Sequence, residues 1–282
     1  MGGWFANFLS MNGYDVIVFD RNKAAVHKLA RRRGFKFVGS LIRAAEASDL
    51  IILATPSQVT TQLLNKIAPY TQKRTLLVEI SSIKEPVQRT IQNLTRRGVQ
   101  ILSIHPMFGP GAKTLANKSM LVAQQPQRSQ LATQFLSKLR KKGVKIVRSN
   151  LKDHDRIVAA TLTLPHLVNF AFIETIRRAG YSLEQARNIG GTTFKLQLLL
   201  AEALYHESLQ NEASILADNK YAVETLRVFS RQVDGIRAII RTRNKRKLIG
   251  RLQSDAVHVR SDPMFRTTYD RFAAAVEASS RM

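Results

Sequence analysis

The sequence predicts an α/β fold in which a doubly wound parallel sheet precedes an all-helical domain. Over the first 150 residues, short apolar runs alternate with amphipathic helical stretches, a pattern typical of a parallel sheet covered by helices. Several of these runs, such as residues 50–53, are apolar at every position, as expected for strands buried on both faces. Beyond Asn150, apolar residues recur at helical spacing. We therefore expect two domains, at 1–150 and 151–282.

The individual elements follow from the same periodicities. The predicted strands are 14–19, 50–55, 75–80, 99–104, 120–123 and 144–147. The predicted helices between them are 23–33, 58–67, 85–97 and 128–142. In the second domain, long helices are expected over 157–178, 194–205, 221–241 and 265–276.

Composition excludes several classes of protein. Of the 282 residues, 44% are hydrophobic, which is enough for a buried core and rules out wholesale disorder. The absence of cysteine excludes disulfides, thiolate metal sites and a cysteine nucleophile. No apolar run reaches the roughly 20 residues that span a bilayer. No secretory signal pattern opens the chain, so we expect a cytoplasmic protein without a membrane segment.

The positive charge leaves two interpretations open. Lys and Arg outnumber Asp and Glu by 44 to 20, a formal net charge of +24, and such a surplus attracts phosphate-rich ligands, nucleic acid included. The basic runs, such as 31–33 and 140–142, fall where helix faces and turns are expected, without interleaved aromatic residues. We favour a solvated basic surface and keep a nucleic-acid-binding protein on a degenerate nucleotide fold as the alternative.

The first 20 residues contain the second half of a dinucleotide-binding fingerprint. Gly2 opens a predicted helix, a strand follows, and Asp20 lies at its end, as in a Rossmann unit. The first strand and the first two glycines of G-x-G-x-x-G have no counterpart, so we expect a sheet without its central strand and an in-frame upstream stretch that encodes them. Gly2 would be the third glycine, which allows close helix–strand packing. Alternatively, Gly2 is a helix-start glycine and Asp20 a turn residue.

The fingerprint also indicates where a nicotinamide cofactor would bind. The expected contacts come from the start of the first helix and from the ends of strands: Gly2, Trp4, Asp20, Thr55, Pro56 and Ser82. Asp20 would accept hydrogen bonds from the adenosine ribose and repel a 2′-phosphate, which favours NAD over NADP. Because two glycine-turn amides are missing, we expect the chain to bind the cofactor weakly.

A histidine and a pair of hydroxyls follow two neighbouring predicted strands. His105 directly follows the fourth of these strands, and Ser81 and Ser82 follow the third. Ligands of open α/β sheets bind beyond the carboxyl ends of the strands, and a histidine there can accept a hydroxyl proton near neutral pH. Two structural alternatives remain open. His105 would brace a loop rich in proline and glycine, and Ser82 would cap the next helix, with Glu85 completing a capping box.

Four segments make the sequence recognisable. They read M-G-G-W-F-A at 1–6, S-S-I-K at 81–84, H-P-M-F-G-P at 105–110, and H-D with L-P-H at 154–155 and 164–166. In these segments the chain resembles the prephenate dehydrogenases of tyrosine biosynthesis, whose arogenate-specific relatives share the pattern. The resemblance covers the whole chain. It implies NAD-dependent oxidative decarboxylation of prephenate to 4-hydroxyphenylpyruvate, with NADP as the alternative coenzyme and no metal ion.

The resemblance further implies a homodimer formed by the helical domain. The sequence agrees, since the apolar residues at 196–200 and 236–240 exceed what that domain is expected to bury by itself.

Individual roles also follow from the resemblance. His105 would deprotonate or polarise the ring hydroxyl of the substrate, and Ser82 would hydrogen-bond both that hydroxyl and His105. Ser81, His166 and Lys195 would contact the substrate. For His166, a partly buried helix histidine at the domain interface is the alternative.

Two further features leave the substrate and part of the site open. Family members commonly carry an arginine in the helix after residues 190–195, where its guanidinium binds a substrate carboxylate. The aligned residue here is Ala203, so prephenate and arogenate both remain candidates, as does another two-domain dehydrogenase of the β-hydroxyacid type. His154 and Asp155 stand at a predicted helix start, where capping explains them as well as ligand binding does.

Overall fold

The strands form two separate sheets in the computed structural model, which describes residues 1–280. A short sheet pairs β1 (Ile17–Val18) with β2 (Lys36–Phe37) in parallel. The strands of the larger sheet, in spatial order, are β3 (Leu50–Leu53), β4 (Leu76–Glu79), β5 (Gln100–Pro106), β6 (Ser119–Gln124) and β7 (Lys145–Arg148). Within the described residues no ladder joins β1 to β3, where the sequence predicts the missing central strand.

One pairing of the larger sheet corrects the expected parallel arrangement. β3, β4 and β5 are parallel to one another, and β6 is parallel to β7, but β5 and β6 are antiparallel. A parallel connection must return the chain to the same end of the sheet, usually through a helix. Residues 107–118 contain no helix, so the chain turns back directly into β6. The α/β fold class is confirmed, and the parallel pairing fails at this one step.

Helices cover both faces of the larger sheet. Their bounds are α1 Gly2–Ser10, α2 Lys23–Arg33, α3 Leu41–Glu46, α4 Ser57–Ile67, α5 Glu85–Arg96, α6 Gln130–Lys141 and α7 His154–Val158, with a 3₁₀ turn at Ala68–Tyr70. Asn22, Ser40 and Ser129 accept backbone N–H groups as the N-caps of α2, α3 and α6. The short elements β2 and α3 were not predicted, because segments of this length carry little periodicity.

The packing of β4 explains its continuous apolar sequence. Leu76 and Val78 lie in one core cluster with Phe5 of α1, and Leu77 lies in a second cluster with Ile91 of α5. All five side chains are buried, so both faces of the strand are covered. Each such burial contributes roughly 1.5–3 kcal/mol, which makes β4 an anchor of this part of the chain.

The described residues divide into two compact units. The first comprises Met1–Val158 and Ala217–Lys220, and the second comprises Ala159–Leu216 and residues 221–280. Leu151, where the predicted second domain begins, packs in a core cluster of the first unit.

The second unit, over the described residues, consists of helices and connecting turns. Its elements are a π-helical turn at Ala159–Thr163, α8 Leu164–Arg178, α9 Leu183–Ile189, α10 Thr192–Leu204, α11 Leu209–Ala217, α12 Ala222–Arg241, α13 Lys245–Arg260, a 3₁₀ turn at Pro263–Thr267 and α14 Thr268–Ser280. The four long helices predicted from periodicity correspond to α8, α10, α12 and α14. The predicted all-helical character is confirmed.

One helical stretch runs continuously over His154–Arg178. The π-helical turn at Ala159–Thr163 lies in its first half and ends two residues before Pro165 of α8. Pro165 has no N–H to donate to the carbonyl four residues earlier, which accounts for the wider winding at this point. By length and composition the stretch could cross a membrane. A core helix of a soluble protein passes the same test.

The second unit presents apolar side chains on its own surface. Leu199 and Leu200 of α10 are 43% and 54% exposed, and Ile240 of α12 is 58% exposed. Leu198 is buried, so the second unit covers only some of the apolar side chains at 196–200. The predicted surplus of apolar surface therefore exists on α10 and α12.

Two glycines in left-handed turns provide a test of packing in the first unit. Gly143 (φ +90°) and Gly98 (φ +86°) share a backbone conformation, but a Cβ at Gly143 would lie 2.9 Å from Cα of Ala116, whereas one at Gly98 would meet no atom within 4 Å. We expect Gly98→Ala to lower the free energy of unfolding by about 1–2 kcal/mol through backbone strain alone. Gly143→Ala should lower it further, because the Ala116 backbone must move. Urea unfolding compares the two variants, and equal losses would contradict the steric argument.

Candidate active site

The carboxyl ends of three parallel strands place candidate residues along one edge of the larger sheet. Leu53, Glu79 and Ser103 are register partners at or near these ends. Thr55, Ser81 and His105 each lie two residues after one of these three partners in the sequence. The sheet therefore brings a hydroxyl from β3, a hydroxyl from β4 and an imidazole from β5 to the edge where ligands of α/β folds bind.

His105 lies within β5 rather than after it, which corrects the prediction from the sequence. It pairs with Leu121 of β6 in the antiparallel ladder, just past an irregularity between Ser103 and Ile104. Only 4% of the residue is exposed. Its Nδ1 lies 3.2 Å from Nε2 of His154, at the start of α7. Two imidazoles that are far apart in sequence thus meet in the interior of the first unit.

Asp155 connects this histidine pair to the helix that follows β4. Its Oδ1 lies 2.7 Å from Nδ1 of His154 and accepts the N–H of Lys84 at 2.8 Å. Its Oδ2 accepts the N–H of Glu85 at 2.7 Å. Since α5 begins at Glu85, Asp155 caps the N-terminus of α5, where the helix dipole favours negative charge. The capping box of Ser82 with Glu85, one alternative from the sequence, is not formed.

Lys84, whose backbone N–H donates to Asp155, is itself fully buried. Its Nζ donates hydrogen bonds to Oε1 of Glu79 at 2.7 Å, to the carbonyl of Ser81 at 2.8 Å and to the carbonyl of Ile104 at 2.7 Å. All three N–H bonds of the ammonium group are used. The side chain therefore fixes the end of β4 and the residue that precedes His105.

Glu79, the other member of the buried ion pair, is also satisfied. Its Oε2 accepts the backbone N–H of Ser81 at 2.9 Å, and its Oε1 accepts the hydroxyl of Ser103. Ser81 itself is only 5% exposed, and its Oγ has no hydrogen-bond partner among the described residues. A buried hydroxyl without a partner is a group that a ligand could satisfy.

Burial sets the protonation of the site. It holds the pKa of His105 well below the ordinary 6.5, and positive charge on His154 or Lys84 would lower it further. Burial also lowers the pKa of His154, an effect that the hydrogen bond to Asp155 opposes. Burial lowers the pKa of Lys84, and the Glu79 carboxylate opposes this effect because it favours the charged ammonium group. Both imidazoles are consequently neutral near pH 7, so His105 is available as a proton acceptor.

Acid is expected to destabilise the first unit through these histidines. An unfolded histidine has a pKa of about 6.5, and the folded value of His105 is lower, so between the two values the unfolded state binds more protons. The free energy of unfolding should therefore fall as the pH decreases below about 6.5. Urea unfolding at about pH 7.5 and about pH 5.5 measures the loss. His105→Asn should lose less on acidification, and an equal loss in both proteins would contradict the assignment.

Ser82 does not make the hydrogen bond to His105 that the resemblance implies, among the described residues. It is half-buried in the connection between β4 and α5. Within residues 1–280 no hydrogen bond joins it to His105, whose ring nitrogen is instead engaged by His154. The ring is thus oriented by His154, with Ser82 close in sequence to the buried Lys84.

The residues expected to bind the cofactor lie around α1 and the ends of β1 and β3. Trp4 donates from Nε1 to the carbonyl of Ala112 at 3.0 Å and stacks on Phe8. Asp20 is exposed just after β1, and its Oδ1 accepts the N–H of Asn22 at 2.8 Å, as a turn residue would. Within residues 1–280 its other carboxylate oxygen has no hydrogen-bond partner, so it is available to a ligand.

Gly2 and the end of β3 complete this region. A Cβ at Gly2 would lie 3.3 Å from Cβ of Ala54, so α1 approaches the chain after β3 closely. Thr55 shares a hydrogen bond of 2.8 Å with Thr60, and Pro56 is the exposed N-cap of α4.

The remaining predicted residues belong to the second unit. His166 of α8 is partly buried, and its Nδ1 lies 2.6 Å from Oε2 of Glu212, which is itself buried. Lys195 and Ala203 are exposed on α10. His166 is therefore one half of a histidine–carboxylate pair that the sequence did not reveal.

The buried ion pair of Glu79 and Lys84 and the contact between His105 and His154 were not identified from the sequence. Glu79 ends an otherwise apolar strand, and Lys84 follows five residues later. A charge at the end of a strand with both faces buried requires a buried partner, so this pair could have been inferred. The contact between His105 and His154 left no such signal, because it spans 49 residues.

Comparison with known protein families decides the family. Residues 5–126 match the profile described as prephenate dehydrogenase, nucleotide-binding domain, and residues 150–254 match that of the prephenate dehydrogenase dimerization domain. The chain belongs to the prephenate dehydrogenase family. The resemblance seen in the sequence is thereby confirmed.

Members of the prephenate dehydrogenase family from several organisms are similar to this chain. The "Probable arogenate/prephenate dehydrogenase" of Methanocaldococcus jannaschii is 25% identical over 266 residues, which is 93% of this chain and 59% of that protein. The T-protein of Haemophilus influenzae is 25% identical over 231 residues, 80% of this chain and 56% of that protein. The chain thus spans less than two thirds of the length of these relatives.

Solved structures of the family share the fold. The prephenate dehydrogenase of A. aeolicus, in complex with hydroxyphenyl propionate and NAD+, superposes with a TM-score of 0.73 at 17% identity, over 92% of this chain and 93% of that chain. The Synechocystis arogenate dehydrogenase gives a TM-score of 0.67 at 20% identity, over 91% and 94% of the two chains.

Proposed function

We propose that this chain catalyses the NAD-dependent oxidative decarboxylation of prephenate to 4-hydroxyphenylpyruvate in tyrosine biosynthesis, with arogenate as the alternative substrate. The observation that carries the proposal is the neutral, buried His105 at the carboxyl edge of the sheet. The family supports the reaction type, because both of its domains match. Both substrates occur among the names of its relatives.

In the proposed reaction His105 acts as the general base. As hydride leaves the ring carbon that bears the hydroxyl, the hydroxyl proton is shared with the imidazole, which eases the build-up of positive charge on that carbon. Carbon dioxide then departs, the ring becomes aromatic, and the proton returns to the same oxygen, now a phenol. The bound nicotinamide supplies the acceptor for the hydride. Ser81, Ser82, His166 and Lys195 are the proposed substrate contacts.

The start of α1 fits the pyrophosphate of a dinucleotide. The first intrahelical hydrogen bond runs from the N–H of Phe5 to the carbonyl of Met1, and the side chain of Met1, the N-cap residue, makes no capping hydrogen bond. The N–H groups of Gly2, Gly3 and Trp4 precede that bond, and such groups bind phosphate. The exposed Asp20 would accept hydrogen bonds from the adenosine ribose, which favours NAD over NADP. Thr55 and Pro56 complete the proposed contacts.

The proposed assembly is a homodimer formed by the second unit. The match to the dimerization domain and the exposed Leu199, Leu200 and Ile240 support it. A monomer mass by light scattering at micromolar concentration would contradict it.

The test of the function is an assay of the purified full chain with each pair of substrate and coenzyme. Prephenate and arogenate are each incubated with NAD or NADP at high concentration, because weak coenzyme binding is expected, and the reduced nicotinamide and the aromatic product are quantified. We expect 4-hydroxyphenylpyruvate from prephenate, with a higher kcat/KM for NAD than for NADP. A folded protein that turns over none of the four pairs would overturn the proposal, and turnover of arogenate alone would reassign the substrate.

A further inference from the structure

The hydrogen bonds of Asp155 determine which nitrogen of His154 carries a proton. The carboxylate accepts the backbone N–H groups of Lys84 and Glu85, one on each oxygen, which identifies it as an acceptor. Its third contact, at 2.7 Å, is with Nδ1 of His154. That nitrogen must therefore be the donor, and Nδ1 of His154 carries a hydrogen.

The same reasoning extends to His105. A neutral imidazole has one N–H, so Nε2 of His154 is left as an acceptor. It lies 3.2 Å from Nδ1 of His105, which must then donate its own N–H. Nε2 of His105 is consequently the nitrogen with a free lone pair.

We propose that His154 and Asp155 are positioning residues that hold His105 as its Nδ1–H tautomer, so that Nε2 is the atom that accepts the substrate proton. This inference rests on the proposed function for its catalytic consequence, although the tautomer itself does not. An aspartate fixes the tautomer of the catalytic histidine in the same way in serine proteases, where replacing the carboxylate by an amide lowers kcat by about 10⁴-fold. Here a second imidazole stands between carboxylate and base.

Burial makes this arrangement persistent. His154 is completely buried and His105 is 4% exposed, so water does not compete for their ring nitrogens. Asp155 is 2% exposed, and it is held in place by capping α5 and by the Nδ2–H of Asn219, which donates to its carbonyl at 2.9 Å. Burial also lowers the pKa of both histidines, so each ring carries a single N–H near neutral pH.

The tautomer can be read directly by ¹⁵N NMR of histidine in the full chain without ligands. His105 is assigned by comparison with His105→Asn. We expect its Nδ1 to show the shift and proton coupling of a protonated nitrogen and its Nε2 the shift of a bare one. A protonated Nε2 would overturn the inference, whether or not the chain proves to be a dehydrogenase.

A pair of variants at His154 tests the catalytic consequence. His154→Gln can place an amide oxygen near the position of Nε2 and still accept from His105, whereas His154→Met has similar length and no such acceptor. We expect His154→Met to lose about 10- to 100-fold in kcat, part of what a general base contributes, with KM nearly unchanged. His154→Gln should recover most of that loss.

The kinetics of the two variants distinguish a positioning role of His154 from a role in packing alone. Equal losses in the two variants, or an unchanged kcat in His154→Met, would overturn the positioning role. If the unmodified chain turns over none of the substrates, the proposed function fails, and the NMR result still decides the tautomer.

Discussion

His105→Asn is expected to reduce kcat by about 10²–10⁴-fold with little change in the KM for the substrate. The asparagine amide can occupy the position of Nδ1 and keep a hydrogen bond to His154, which lies 3.2 Å away in the parent protein. What disappears is the basic nitrogen at Nε2. The variant therefore removes the proton acceptor, while His154 keeps a hydrogen-bond partner at this position. Steady-state kinetics with the preferred substrate and coenzyme measure the loss.

If the proposed function holds, the pH profile of the parent protein provides a second measure of the same residue. A base must be unprotonated, so kcat/KM should fall on the acid side as the pH drops through the pKa of His105. Because burial lowers that pKa, this limb should lie below pH 6.5, and it should be absent from His105→Asn. His206→Asn, at an exposed histidine, is the matched control and should leave kcat unchanged.

Ser82→Ala is expected to cost less than His105→Asn, because Ser82 is not hydrogen-bonded to the imidazole in this structure. If His105→Asn retains most of its kcat, the assignment of this histidine as the base is wrong, and His166 becomes the next candidate.

Lys84→Met should lower the free energy of unfolding by about 3–5 kcal/mol, the usual loss when one partner of a buried ion pair is removed. The ammonium group and the Glu79 carboxylate are both fully buried and 2.7 Å apart. Methionine leaves that carboxylate without its counter-charge and the carbonyls of Ser81 and Ile104 without a donor. Urea unfolding of the full chain measures the effect.

Two control variants test whether the loss of stability in Lys84→Met arises from the burial of the unpaired charge. Lys220→Met removes the exposed partner of Glu85, an ion pair of 2.6 Å whose side chains are 51% and 43% exposed, and should cost at most about 1 kcal/mol. The double variant Glu79→Gln with Lys84→Met has no buried charge left at this pair, so it should be more stable than Lys84→Met alone. A loss below about 1 kcal/mol in Lys84→Met would show that the buried pair contributes little.

The elements whose signal is local could be predicted from the sequence. Periodicity and apolar runs located β3, β4, α5, α10 and α12 to within a few residues, since each element needs a repeating pattern over its own length. The long helix α13 was not predicted. The motifs at 81–84 and 105–110 likewise identified the family, because the residues of each motif are adjacent in the chain.

Features that depend on residues far apart in the chain emerge only in the folded structure. The antiparallel pairing of β5 with β6 followed from a connection without a helix. Lys84 is buried because its ammonium group bonds to Glu79 of β4 and to the Ile104 carbonyl of β5. The most consequential case is His105, which contacts His154 and, through it, Asp155. For that pair the sequence left helix capping and ligand binding equally open. Asp155 does cap a helix, but it is α5, whose first residues lie 70 and 71 positions earlier in the chain. Hydrogen bonds over such separations leave no periodic trace in the sequence, because they arise only when the packed sheet and helices bring the side chains together.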